Sequence, residues 1–205
     1  MTATLLVIDN YDSFTFNLVQ MFRRYPLKVK VFRSDAIGLN QVASMCPDYI
    51  LISPGPKDPQ HAGSSMELID AWHSRVPILG VCLGMQCINE VFGGQTVRSP
   101  RPLHGRTSAV YHDNRGLFQG LPSPFQAARY HSLAVKPDPV ALKGALTITA
   151  RTKDQIIMGL SHRNHPLHGV QFHPESFLTR HGFALVENFL KLGPLEVVYG
   201  QQRLG

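Results

Sequence analysis

Gly80-Val-Cys82-Leu-Gly84 places a thiol between two glycines, directly after the apolar run Pro77-Ile78-Leu79. A strand that turns sharply into a helix through small residues lifts the intervening side chain out of the sheet edge, the geometry of a nucleophile elbow. At a helix N-terminus a thiol loses its proton more readily, and free backbone N–H groups can receive a developing oxyanion. The same residues also fit a buried cysteine held between packing glycines. A thiol nucleophile needs a base, and the base needs an orienting acceptor. Gly169-Val-Gln-Phe-His173-Pro174-Glu175-Ser176 supplies both types, stiffened by Pro174. A surface loop with a histidine and an acid is the plainer alternative, since the chain has ten histidines. Cysteine elbow and His-Pro-Glu together point to covalent acyl transfer by a Cys-His-Glu relay.

Further segments stand in order along the chain: Leu5-Leu-Val-Ile-Asp-Asn-Tyr-Asp-Ser-Phe14, Ser53-Pro-Gly-Pro56, the elbow, His104-Gly105, Tyr130-His-Ser-Leu133 and His173-Pro-Glu-Ser176. Over nearly its whole length the chain resembles a class I, or triad-type, glutamine amidotransferase. Within that group it is most similar to the small glutaminase subunit of anthranilate synthase and of 4-amino-4-deoxychorismate synthase. The resemblance implies that Cys82 attacks the side-chain amide of glutamine to form a glutamyl thioester. His173 would act as general base and then acid, and Glu175 would orient it. The N–H of Leu83, next to the nucleophile at the helix start, is a candidate oxyanion donor, and by resemblance that of Gly55 would be the second. Pro54, Gly55 and Pro56 would form a stiff loop against the substrate, although Pro-Gly-Pro alone is an ordinary strand-ending turn. Gln86 lies one turn beyond Cys82, on the same helix face. Ser132 and Leu133 match the family segment whose backbone holds the α-amino and α-carboxylate groups. Two positions depart from the pattern: Lys57, where glycine is common, and Met85, where close relatives often carry histidine. If position 57 needs positive φ, a lysine there is strained.

The resemblance implies a partner, a chorismate-using synthase subunit (component I) that receives ammonia, with Mg²⁺ in that synthase and no cofactor or metal in this chain. The amidotransferase subunit of a guanylate synthetase is the enzymatic alternative. A catalytically silent regulatory subunit is the non-enzymatic one, disfavoured by the intact Cys82, His173 and Glu175. Asn10-Tyr11-Asp12-Ser13-Phe14 and His104-Gly105 favour the chorismate-linked group and are expected to face the partner or shape the pocket.

The elements that must position these residues follow an α/β pattern: one domain with a central, mostly parallel sheet flanked by helices, and a mixed, more antiparallel second half. Strands are expected at Thr4–Ile8, Lys28–Phe32, Tyr49–Ser53 and Pro77–Val81. A helix carrying Phe14, Leu18, Met21 and Phe22 is expected to be capped by Asp12 or Ser13. Helices are also expected at Leu39–Met45, around Met66, Ile69 and Trp72, and after the elbow, with Ile88, Val91 and Phe92 on one face. Beyond Gly93-Gly94, short strands are expected at Ser108–His112, Ala127–Tyr130, Leu146–Arg151, Ile156–Ser161 and Gly169–Phe172, with Pro137-Asp138-Pro139 as a turn. A last helix carries Phe183, Val186, Phe189 and Leu190. The amidotransferase domain is set at 1–193 and a partly ordered tail at 194–205.

The 205 residues suffice for one domain with a proper core, and 43% hydrophobic with 17% charged residues fits a globular chain. No apolar run approaches the roughly 20 residues of a bilayer span, and no signal peptide is visible at the N-terminus, so a cytoplasmic protein without membrane contact is expected. Cys46, Cys82 and Cys87 are three in number and have no metal-ligand spacing. The net charge of +6 comes from scattered residues rather than a basic stripe, so no nucleic-acid partner is expected.

Overall fold

Leu5 and Val7 alternate with Leu6 and Ile8 along β1 (Ala3–Asp9), and all four are fully buried. A strand apolar on both faces needs cover on both sides. The computed structural model of the chain describes residues 2–196 and supplies that cover. β1 pairs in parallel with β2 (Leu27–Arg33) and β3 (Tyr49–Ile52), and β3 with β4 (Ile78–Val81). One core holds Leu5, Val7, Tyr49, Leu51, Leu79 and Val81 against α1 (Thr15–Phe22) and α6 (Gly182–Leu190). The other holds Leu6, Ile8, Ile50, Ile52 and Ile78 against α2 (Leu39–Met45), α3 (Ser65–Trp72) and α4 (Leu83–Val91).

β9 (Leu167–Val170) adds in parallel to β4, and the sheet turns antiparallel through β8 (Ile157–His162), β7 (Leu146–Thr152), β5 (Gln95–His112) and β6 (Phe125–Lys136). The order is β2-β1-β3-β4-β9-β8-β7-β5-β6. An isolated antiparallel bridge joins Ala128 of β6 to His173, just past β9, so the far edge curls back onto the middle of the sheet. This curl brings the second half of the chain to Cys82. None of the helices in the described residues is long and apolar enough to cross a membrane.

Several elements differ from the sequence expectation. β5 runs for 18 residues instead of Ser108–His112 alone. Its first part is a largely exposed ribbon paired only with β6, so no buried alternation marks it. Pro137-Asp138-Pro139 starts a helix, α5 (Pro139–Gly144): Pro139 takes the first turn, and Asp138 accepts from the N–H groups of Val140 and Ala141. α1 is capped at Phe14 without a side-chain bond rather than by Asp12 or Ser13. The buried Asp9 organises this loop instead, its Oδ1 accepting from Tyr11 N–H (3.0 Å) and Thr15 Oγ1 (2.9 Å). Phe172 lies beyond β9. α4 has no single buried face, because Leu83 through Asn89 are all buried. At the start of the expected tail, Leu195 N–H donates to Tyr49 Oη at 2.8 Å; residues 197–205 lie outside the described residues.

Candidate active site

β4 ends at Val81, and Cys82 takes φ 54°, ψ −101° as the cap of α4. That left-handed strain costs of order 1–3 kcal/mol and persists only where the surroundings enforce it. Here Cys82 N–H is tied to Val170 O at 2.8 Å, and Cys82 O accepts from Gln86 N–H at 3.2 Å. Gly84 lets α4 lie directly on the sheet: a Cβ there would stand 2.5 Å from the carbonyl oxygen of Ile52. The result is the elbow that the Gly-x-Cys-x-Gly spacing predicts.

His173 follows β9, the neighbour of β4, so two adjacent parallel strands deliver thiol and imidazole to the same sheet edge. The bridge to Ala128 and the rings of Tyr130 (5.0 Å) and Phe14 (5.6 Å) hold the imidazole in place. Its Nδ1–H donates to Glu175 Oε1 at 2.6 Å, and both side chains are almost wholly buried. Nε2 is buried with no hydrogen-bond partner of good geometry. Burial pushes the His173 pKa down, but the bonding and charges of Cys82 and Glu175 outweigh it and lift the imidazole to about 10. Nε2 is therefore a strong proton acceptor that feels the sulfur.

Gly55 approaches the elbow so closely that a Cβ would meet Leu83 Cδ2 and Asn10 Cβ, each at 2.6 Å. Leu83, the first helical residue, has an N–H without an intrahelical acceptor. Pro54 is buried beside Gly55 while Pro56 is exposed. The loop is held by Asn10, whose N–H donates to Ser53 Oγ (2.9 Å) and whose Nδ2 donates to Ser53 O (3.1 Å). Lys57 sits at φ 66°, the strained conformation that its departure from glycine raised. Met85 is fully buried with Val135, Ile157 and Leu160, so the other departure is absorbed by packing.

Gln86 is buried and donates through Nε2 to Gln171 Oε1 at 3.3 Å, and Gln171 Nε2 in turn reaches Cys82 Sγ at 3.5 Å. Sequence reasoning missed Gln171; its position two residues before His173 is the available signal. Ser132 is exposed, its Oγ 2.9 Å from His104 Nε2, so its side chain turns to β5 and not to the triad. The β5–β6 register jumps between Arg98↔Leu133 and Leu103↔His131, leaving Ser132 without a strand partner and its backbone outside the ladder. Sequence reasoning also missed the support behind this segment. The fully buried Arg129 donates from Nε to His131 Nε2 at 2.9 Å, and His131 Nδ1–H donates to Leu133 O at 2.7 Å. Burial, then the Arg129 charge, lowers the His131 pKa to about 4, which keeps that ring neutral and its tautomer fixed.

A strained cysteine at a helix start, a buried imidazole–carboxylate pair and backbone N–H groups from two loops make a site for thiol-dependent acyl transfer. Residues 6–192 match the family model of class-I glutamine amidotransferases, and the chain belongs to that family. It is 46% identical over 194 residues to aminodeoxychorismate/anthranilate synthase component 2 of Bacillus subtilis (strain 168), covering 95% of this chain and 99% of that one. It is 47% identical over 186 residues to aminodeoxychorismate synthase component 2 of Escherichia coli (strain K12), covering 91% and 98%. Among solved structures, a GMP synthase subunit from Thermoplasma acidophilum superposes with a TM-score of 0.82 at 25% identity, over 94% of each chain. The fold and enzyme class expected from the sequence, an α/β glutamine amidotransferase, are therefore borne out.

Proposed function

We propose that this chain is the glutaminase subunit of a chorismate-aminating synthase, and that Cys82, His173 and Glu175 carry its chemistry. Cys82 Sγ gives its proton to His173 Nε2 and bonds to the side-chain carbonyl carbon of glutamine. The resulting oxyanion is received by the N–H groups of Leu83 and Gly55. As the C–N bond breaks, the proton passes from His173 to the leaving nitrogen, and ammonia departs. Water, deprotonated by His173, then cleaves the glutamyl thioester, releasing glutamate and restoring the thiol. Glu175 holds the imidazole in the Nδ1–H tautomer throughout. Gln86 contacts the substrate amide, while the backbone of Ser132 and Leu133, with the Pro54–Pro56 loop, holds the amino-acid end. This thiol–imidazole chemistry calls on no cofactor in the chain, and Mg²⁺ belongs to the synthase.

The observation that carries the reading is the buried His173–Glu175 pair aimed at a cysteine in the strained elbow. The names of its relatives, component 2 of anthranilate and aminodeoxychorismate synthases, support a component I as the partner; the same reading makes that chorismate-using subunit the recipient of ammonia and sets both in the cytoplasm. In a complex reconstituted with a chorismate-using subunit, Cys82→Ala is expected to abolish glutamine-dependent amination while ammonium still supports it. Loss of both activities would give Cys82 a structural role instead. Recovering the native partner by pull-down identifies the product as anthranilate, aminodeoxychorismate or both. Recovery of a guanylate-forming subunit would overturn the chorismate assignment and leave the glutaminase mechanism standing.

A further inference from the structure

Three imidazoles converge at the edge of the sheet opposite Cys82. His73 follows the last turn of α3, His162 ends β8, and His165 lies in the turn that leads to β9. The same turn borders the start of β4, where Ile78 N–H donates to Pro166 O at 2.9 Å. Ring centroids are 4.6 Å apart for His162–His165, 5.4 Å for His73–His165 and 5.7 Å for His73–His162. One nitrogen from each ring lies within 4.8 Å of the other two, and all three residues are half-buried. Phe92 forms an apolar floor, its ring 5.5 Å from His73 and 5.4 Å from His162.

We propose that His73, His162 and His165 form a binding site for a borderline divalent transition-metal ion of the zinc class, fixing the end of α3 to the β8–β9 turn. Three neutral imidazoles with solvent at the fourth position suit Zn²⁺ or Co²⁺, whereas Mg²⁺ and Ca²⁺ require oxygen ligands. His73 is already oriented: Nδ1–H donates to Asp70 O at 2.9 Å, which leaves the Nε2 lone pair free. The His165 ring makes no hydrogen bond among the described residues, so its nitrogens are uncommitted.

His162 sets the limit on affinity. Its Nδ1 accepts from the N–H groups of Asn164 and His165, each at 3.1 Å, which puts its proton on Nε2. Ligation through Nε2 moves that proton to Nδ1 and turns the two N–H groups to water, a change open to a turn whose Arg163 and Asn164 are exposed. A tetrahedral ion with bonds of about 2.0–2.1 Å also draws the ligand nitrogens to roughly 3.4 Å apart. Both adjustments weaken binding relative to a preformed site.

The test is Co²⁺ titration of the untagged chain with Cys46→Ser and Cys82→Ser, which removes the exposed thiol and the nucleophile as competing ligands, followed by displacement with Zn²⁺ and metal analysis after dialysis. The expected result is one ion per chain, tetrahedral d–d absorption without thiolate charge transfer, and a melting temperature raised by Zn²⁺. His73→Ala and His165→Ala are each expected to weaken binding by more than the roughly 10–100-fold of an outer-shell loss. In the Cys82-containing chain the same substitutions should leave basal glutamine turnover intact, because the cluster lies across the sheet from the triad; this confirms that the variants fold. No saturable uptake, or uptake unchanged in both histidine variants, would overturn the site.

Discussion

At the scale of the residue, the candidate site rests on one proton held between two buried groups. His173 binds it more tightly in the folded chain than its ordinary 6.5 would allow, near 10, because Cys82 and Glu175 outweigh burial. A raised folded pKa stabilises the fold in full below about pH 6.5, and the contribution is lost as pH rises through about 10. Glu175→Gln removes the charge 2.6 Å from Nδ1 and leaves an amide whose oxygen is a weaker acceptor and whose NH₂ can oppose the Nδ1–H. We expect kcat for glutamine hydrolysis to fall by about 10²–10⁴-fold, the scale on which a mis-set imidazole tautomer acts. The alkaline decline in stability, followed by denaturant melts across pH, should begin at lower pH in this variant. An unchanged pH profile would separate Glu175 from the His173 proton. The residues with distinctive chemistry were legible in the sequence because Cys82, His173 and Glu175 stand in short segments with fixed local geometry. Gln171, Arg129 and His131 were not: Gln171 lies just past β9 with partners, Gln86 and Cys82, far away in sequence, and nothing local announces that Arg129 and His131 are both buried.

At the scale of the element, α4 and the β5–β6 ribbon decide where those groups meet. The periodicity of α4 predicts one buried face, yet the helix is enclosed on all sides, and its contact with β3 is backbone against backbone at Gly84. Gly84→Ala would put a methyl 2.5 Å from the Ile52 carbonyl oxygen, which a strand at the centre of the sheet cannot yield. A loss of about 1–3 kcal/mol is expected from overpacking, together with a fall in kcat as the elbow shifts; thermal melts and turnover at saturating glutamine measure both. The ribbon was the least legible element: its exposed first part has no apolar alternation, and its register jump arises only on pairing with β6. Behind that jump, Arg129 is fully buried, with hydrogen bonds to His131, Ser108 and the Arg101 carbonyl. Arg129→Met removes a costly buried charge, so the fold should tolerate it. It also leaves His131 Nε2 without its donor and loosens the support behind Ser132 and Leu133, so KM for glutamine is expected to rise by ~10-fold to ~100-fold with kcat largely kept. A matching fall in kcat with KM unchanged would place Arg129 in the chemical step instead.

At the scale of the whole molecule, the parallel half could be read from strand and helix periodicity, whereas the curl that brings β6 to His173 is a long-range closure with no local signal. That closure builds a face on which a partner can reach the triad. A cavity of about 560 Å³ opens between α1 and the segment after His173, lined by Gln20, Arg24, Glu175, Phe177, Arg180 and Phe183. Phe177 is 91% exposed two residues after Glu175, and Phe16, on α1, is 53% exposed. Large aromatic side chains left in water beside the buried Glu175 carboxylate are costly in an isolated chain and useful where a partner covers them. Docking there would bear directly on the His173–Glu175 pair, so a synthase subunit should raise glutaminase activity as it binds. Phe177→Asp is expected to leave basal glutamine hydrolysis near its original rate, because the ring makes no contact with the thiol or imidazole. It should weaken association with the chorismate-using subunit by roughly tenfold or more, the scale of a lost interface anchor, and lower the stimulated rate in proportion. Titrating the partner against glutamate release measures both effects. If full stimulation persists at the original partner concentration, the partner docks on another face, and activation must reach the triad from elsewhere.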